Sequence, residues 1–307
     1  MCVSPFLNGF RAAIVAALIV VPMQVSAQDK VEPAHFHHVH LNVTNPSKTL
    51  SFYKKNLGAV EVDYRGKSKA LFSERSFFLL NKVDAAPAWG PKTALSHIGW
   101  ASTDGPSDSE WLTKQGVEWE TEMASLGANQ GMYFYGPDKE LVEMWTGSRN
   151  HRFEHLHLWG TDAGVSAKWY GDHLGFAARV MPKPTLKDPV NIAAIRMAFL
   201  QCDNVNLVIF ERPDFESRWW PGGSYKTEDG PKGDFEPTKG SVIDHLAFSY
   251  RDIKPVHDRM KAAGVEIVQG IEVSEQYGHT SFFVLAPDKV LVEIVQEKPI
   301  PEGIWEK

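Results

Sequence analysis

His38-Val39-His40-Leu41 and His155-Leu156-His157-Leu158 are one short strand written twice, each alternating histidine with an aliphatic residue. Side chains two apart share a face of a strand, so each copy presents a pair of imidazoles together. The segments downstream repeat too. Phe52-Tyr53 and Leu57-Gly58 come after His38, and Trp169-Tyr170 and Leu174-Gly175 come after His155. In both copies the tyrosine lies 15 and the glycine 20 residues beyond the histidine. A glycine at that place ends a helix, because it accepts the left-handed conformation past the last turn.

Two further segments form a second matching pair. His97-Ile98-Gly99-Trp100 and His245-Leu246-Ala247-Phe248 each precede, by 19 residues, a Gly-Val-Glu at 116–118 and 264–266. Each closes on a nearly identical strand, Gly136-Pro137-Asp138-Lys139-Glu140-Leu141-Val142-Glu143 against Ala286-Pro287-Asp288-Lys289-Val290-Leu291-Val292-Glu293. Pro-Asp-Lys is turn chemistry and Leu-Val-Glu an apolar strand. Internal repetition of this kind decides the fold before any single residue does. The spacing predicts four units, at about 35–83, 95–146, 152–211 and 242–297, each a strand, an amphipathic helix and shorter strands. The third ends in an insertion, Glu211–Gly240, carrying Arg218-Trp219-Trp220-Pro221-Gly222-Gly223. It reads either as a lid over a site or as a surface loop.

The chain has 307 residues, 43% hydrophobic and 23% charged, as expected of a core-forming protein. Its net charge of −6 lacks the basic face that a nucleic-acid partner requires. Arg11, the apolar run Ala12–Met23 and Val25-Ser26-Ala27 have the order of a secretory signal peptide, residues 1–27, cleaved near Gln28. The run is short for a membrane span and is broken by Pro22, so no anchor is expected after processing. Cys2 leaves with this segment and Cys202 alone remains, so no internal disulfide forms. The mature protein is expected to be periplasmic or secreted.

From about His35 to Glu297 the sequence resembles the vicinal oxygen chelate superfamily, which includes glyoxalase I, extradiol dioxygenases, fosfomycin-resistance proteins and methylmalonyl-CoA epimerase. The resemblance rests on the strand-borne histidines, the Phe-Tyr…Leu-Gly helix and the terminal Leu-Val-Glu strand. It implies an α+β fold of four βαβββ modules paired into two cupped-sheet halves, residues 35–146 (modules one and two) and 152–297 (modules three and four). It also implies that first and last strands carry the metal ligands. On this expectation the triads are His38, His97, Glu143 in one half and His155, His245, Glu293 in the other. The second triad is expected to do the work, as in extradiol enzymes.

Two imidazoles and a carboxylate leave open positions on a divalent ion and suit Fe2+, Mn2+ or Zn2+ alike. The resemblance to glyoxalase would call for a fourth ligand on the last strand of modules one and three. Phe77-Phe78-Leu79-Leu80 and Leu207-Val208-Ile209-Phe210 offer none. Extradiol enzymes place a tyrosine ten residues before the metal glutamate; that position is Tyr133 in the N-terminal half and Phe283 in the C-terminal half. They also use a nearby histidine as acid and base, for which His279 is the candidate, its alternative being a surface turn residue. His40 and His157 are pocket-wall or ligand-supporting residues. The expected function is a metal-dependent enzyme acting on a small substrate with vicinal oxygens, with ring-cleaving dioxygenase chemistry preferred. A glyoxalase-type lyase or isomerase is the alternative, and a ligand-sequestering binding protein the reading from another class.

Overall fold

The computed structural model describes residues 31–85, 87, 92–126, 129–186, 194–213 and 234–298. Residues 1–30, which include the expected signal segment, and residues 214–233 of the insertion lie outside them.

Module one runs β1 (His35–Val43), α1 (Pro46–Leu57), β2 (Val60–Tyr64), β3 (Ser68–Ser73) and β4 (Ser76–Lys82). Module two runs β5 (Leu95–Ser102), α2 (Gly105–Lys114), β6 (Glu118–Leu126), β7 (Asn129–Tyr135) and β8 (Leu141–Thr146). Module three has β9 (Arg152–Gly160), α3 (Ala163–Leu174), β10 (Ala177–Val180), β11 (Met197–Gln201) and β12 (Asn206–Glu211). Module four has β13 (Ile243–Tyr250), α4 (Lys254–Ala262), β14 (Ile267–Val273), β15 (Thr280–Ala286) and β16 (Val290–Gln296). The four βαβββ units expected from the repeat are all present. The helix stops are where the glycines put them: Gly58 and Gly175 cap α1 and α3 at φ 69° and 76°.

Within every module the first and last strands are parallel neighbours, β1 with β4, β5 with β8, β9 with β12 and β13 with β16. The exposed side of each first strand then pairs antiparallel with another module. Here the expected pairing is overturned. β1 pairs with β13 and β5 with β9, giving two eight-stranded sheets, β14-β15-β16-β13-β1-β4-β3-β2 and β10-β11-β12-β9-β5-β8-β7-β6. The first cup thus joins modules one and four, and the second joins modules two and three. Only residues 147–151 separate β8 from β9. A link that short keeps module three beside module two, since neighbouring strands are only about 5 Å apart. Modules one and four then complete each other.

Alternation along β1 and β9 divides their side chains between two environments. Phe36, Val39 and Leu41 join Phe153, Leu156 and Leu158 in a core shared by both sheets. Phe36 and Phe78 both pack against Phe153 across it, tilted and edge-on, at 5.7 and 5.0 Å between centroids. The turns before β8 and β16 tie the cups together. Asp138 accepts the Thr44 N–H and hydroxyl, and Asp288 accepts those of Thr161, so each Pro-Asp-Lys turn clasps the preceding odd module.

One asymmetry in these turns has a measurable consequence. Glu140 is fully buried, accepting from Tyr53 Oη at 3.3 Å and from the Asp138 N–H at 3.0 Å. Its counterpart is Val290. Burial pushes the Glu140 carboxyl up to about 7 from 4.5. Below the unfolded value both states are protonated and nothing is lost. Between the two values the folded state keeps a proton the unfolded chain releases, so stability falls as pH rises. Above about 7 the deficit is constant, on the order of 3 kcal/mol. Glu140→Gln can still accept from Asp138 and donate to Tyr53 Oη. It is expected to raise the melting temperature at pH 8 and leave it nearly unchanged at pH 4. Equal melting temperatures at pH 8 would show that the carboxylate is not penalised there.

Candidate metal centres

The strand registers explain how each centre forms. Ala247 on β13 stands opposite His38 on one side and Glu293 on the other. Gly99 on β5 stands in the same way between His155 and Glu143. Each small residue is the floor over which a first-strand histidine meets a last-strand glutamate.

In the first cup Glu293 Oε2 lies 3.1 Å from His38 Nε2 and 3.2 Å from His245 Nε2. In the second, Glu143 Oε2 lies 2.9 Å from His97 Nε2 and 2.8 Å from His155 Nε2. All six residues named from the sequence are therefore gathered at cup floors, in a different partition. The triads are His38, His245, Glu293 and His155, His97, Glu143. His38 and His155 have exchanged glutamates, because the cups join modules one to four and two to three.

The expected catalytic residues both touch the glutamates. Tyr133, opposite Glu143 in the ladder, donates its hydroxyl to Glu143 Oε1 at 2.6 Å. His279 is no surface turn residue: it is 1% exposed, with Nε2 2.8 Å from Glu293 Oε1. His40 lies against His245, ring centroids 4.3 Å apart, and His157 Nδ1 is 3.2 Å from His97 Nε2. A shift in the β1 register between Phe36 and His38 brings His37 to the cup side as well, where it packs on Phe77 and His279.

A second layer of contacts was legible in the sequence and was missed. Each ligand candidate is gripped at its outer nitrogen by the residue just before it. Asp244 holds His245 Nδ1 at 2.6 Å, Glu154 holds His155 Nδ1 at 2.5 Å, Ser96 holds His97 Nδ1 at 2.9 Å, and His37 holds His38 Nδ1 at 2.8 Å. The signal is Glu-His and Asp-His at the start of two otherwise apolar strands. A carboxylate on Nδ1 fixes the tautomer and turns the Nε2 lone pair inward, the arrangement that supports a metal ligand.

The electrostatics agree. Two inward lone pairs and a carboxylate oxygen within about 3 Å repel unless a cation or protons lie between them. Burial lowers the pKa of His155 and His245, but their carboxylate partners more than reverse this, to about 10 and about 9. Burial also opposes the charge on Glu143 and Glu293, and their histidines hold both well below the usual range. His38 Nε2 is buried, faces Glu293 and makes no hydrogen bond. The donor atoms of His97, Glu143 and His155 lie within 4.8 Å of one another, as do those of His38, His40 and His245. Burial favours the neutral form of His38 and His97, and these imidazoles, the carboxylates and the unbonded inward nitrogen of His38 together fit a divalent ion.

Two cupped sheets built from repeated βαβββ units, each with histidines and a glutamate on its floor, define a class of fold whose cups could each hold a metal ion. The chain belongs to the Glyoxalase/Bleomycin resistance protein/Dioxygenase superfamily, whose profile matches residues 35–144 and 152–294. No curated protein matches the sequence. Among solved structures, glyoxalase I from Zea mays is 16% identical over 85% of this chain and 92% of its own, with a TM-score of 0.64. A Bacillus subtilis strain 168 protein, provisionally assigned as a dioxygenase, is 12% identical over 86% of both chains, TM-score 0.58. These likenesses establish the shared fold.

Proposed function

We propose that this chain is an exported metal-dependent enzyme acting on a small molecule with two adjacent oxygens, with the first cup as its working centre. The observation that carries the reading is the gripped imidazole pair over a buried glutamate, since a pocket that only sequesters a ligand has no use for oriented Nε2 lone pairs. The first cup is preferred because a cleft of about 370 Å³ reaches it, lined by His40, His245, Tyr277, His279, Phe283 and Glu293. Its volume suits a small ligand.

A bound divalent ion would supply Lewis acidity toward the substrate oxygens. His38, His245 and Glu293 would hold it, while Asp244 and His37 keep the imidazoles turned inward. Phe283, edge-on to His245 at 5.2 Å, offers an apolar wall on which a planar substrate can be oriented. Two strand-borne imidazoles with a single carboxylate favour ring cleavage with O₂ over lyase or isomerase chemistry.

The test uses protein from its native compartment, whose first residue by mass spectrometry is expected near Gln28. Metal analysis is expected to find Fe, Mn or Zn. A screen of small aromatic diols and α-keto compounds, run with and without O₂, is expected to show oxygen-dependent turnover of a diol. Turnover that persists without O₂ would replace the dioxygenase reading with a lyase or isomerase. Metal-free protein that binds a screened compound unchanged would establish sequestration instead.

A further inference from the structure

The two centres share a floor and diverge at the second oxygen of the glutamate. In the second cup Tyr133 donates a phenol O–H to Glu143 Oε1. The register equivalent in the first cup is Phe283, opposite Glu293 and unable to do so. An imidazole arrives there instead. His279, from the turn before β15, sets its Nε2 2.8 Å from Glu293 Oε1.

His279 repeats the geometry of the other inward-facing histidines. Its outer nitrogen, Nδ1, is 2.9 Å from Tyr64 Oη, and its inner nitrogen faces the carboxylate. The turn that carries it is tied down on both sides. Arg65 donates to the Gly278 carbonyl, and Tyr277 Oη donates to the Leu80 carbonyl at 3.1 Å. Tyr64, Arg65 and Leu80 all belong to module one, so the turn is fastened across the cup from its own module.

We propose that His279 is a fourth protein ligand of the first centre, so that one chain carries a four-donor and a three-donor metal site. The proposal rests on the reading that the first cup binds a metal. Its fourth donor comes from a turn, where the last strand of module one has only Phe77–Leu80 to offer. Four protein donors would still leave open positions for a small oxygen-bearing substrate. The second centre has one donor fewer and a hydrogen bond from Tyr133 to its glutamate, and should release metal first.

Co2+ is the probe, titrated into metal-free full-length protein and read by its visible absorption. Wild-type protein is expected to take up two equivalents in two steps. His279→Ala and His279→Gln are each expected to weaken the tighter step by more than the roughly 100-fold that loss of an outer support costs, to change its spectrum, and to leave the weaker step alone. Glutamine retains an N–H donor for Glu293 Oε1. If His279→Gln keeps wild-type affinity and spectrum, His279 only hydrogen-bonds and the proposal is overturned. Uptake of two equivalents by His245→Ala would instead remove the metal from the first cup altogether, and the underlying reading with it. Melting of the metal-free variants checks folding. Should both His279 variants unfold, Tyr64→Phe decides: a weakening of about 10–100-fold at the tighter step supports ligation, and an unchanged step overturns it.

Discussion

Replacing His38 with alanine is expected to cost the protein the same metal ion that is lost on replacing His245 or Glu293, although more than two hundred residues separate them. The reason is the β1–β13 ladder, which sets His38 and Glu293 on either side of Ala247. Loss of a ligand from so small a donor set removes both affinity and geometry, so the effect should exceed the roughly 10–100-fold typical of an outer support. Pairwise combinations make the result decisive. His38→Ala with His245→Ala should be no worse than either alone, because both empty one centre. His38→Ala with His97→Ala should abolish both equivalents. Had each sequence half formed its own cup, His38 and His97 would have shared a metal and the two double variants would exchange outcomes. Metal stoichiometry by mass spectrometry under native conditions separates the cases.

Gly99→Ala is expected to empty the second centre while leaving the first intact. A methyl group on Gly99 would stand 2.1 Å from His155 Cε1 and 2.3 Å from both ring nitrogens. The ring cannot yield without giving up contacts at both ends, since Nε2 is held at Glu143 and Nδ1 at Glu154. Overpacking of a buried site costs about 1–3 kcal/mol, and here it also dismantles the donor set. The reciprocal change, Ala247→Gly, only removes a methyl group under His38 and should cost about 0.5–1 kcal/mol with both ions retained. A Gly99→Ala protein that binds two equivalents with wild-type affinity would mean that the His155 ring does not have to lie across that glycine.

The repeat itself carried most of the architecture. Four apolar strands headed by histidine, two helices stopped by glycine and two Pro-Asp-Lys turns are local features, each set by the conformations its own residues allow. They located the modules, the first-strand histidines and the last-strand glutamates. The support for those histidines was equally local, in Glu154-His155 and Asp244-His245, and could have been read without a structure. His279 was harder: nothing in Tyr277-Gly278-His279-Thr280 says whether the imidazole turns outward or inward.

The chain's own sequence determined the inventory of modules and donors, because strand alternation, helix stops and turns depend on neighbours a few residues apart. Which candidate donors meet was decided only in three dimensions. Every module exposes the same unpaired edge of its first strand, and any other module could satisfy it with the same backbone hydrogen bonds. The repeats that made the modules recognisable also made their partners interchangeable on paper. The choice fell to the five-residue link between β8 and β9, the aromatic core shared by Phe36, Phe78 and Phe153, and the clasp of Asp138 and Asp288 on Thr44 and Thr161. Those contacts act between distant segments, and they brought His38 to Glu293 and His155 to Glu143.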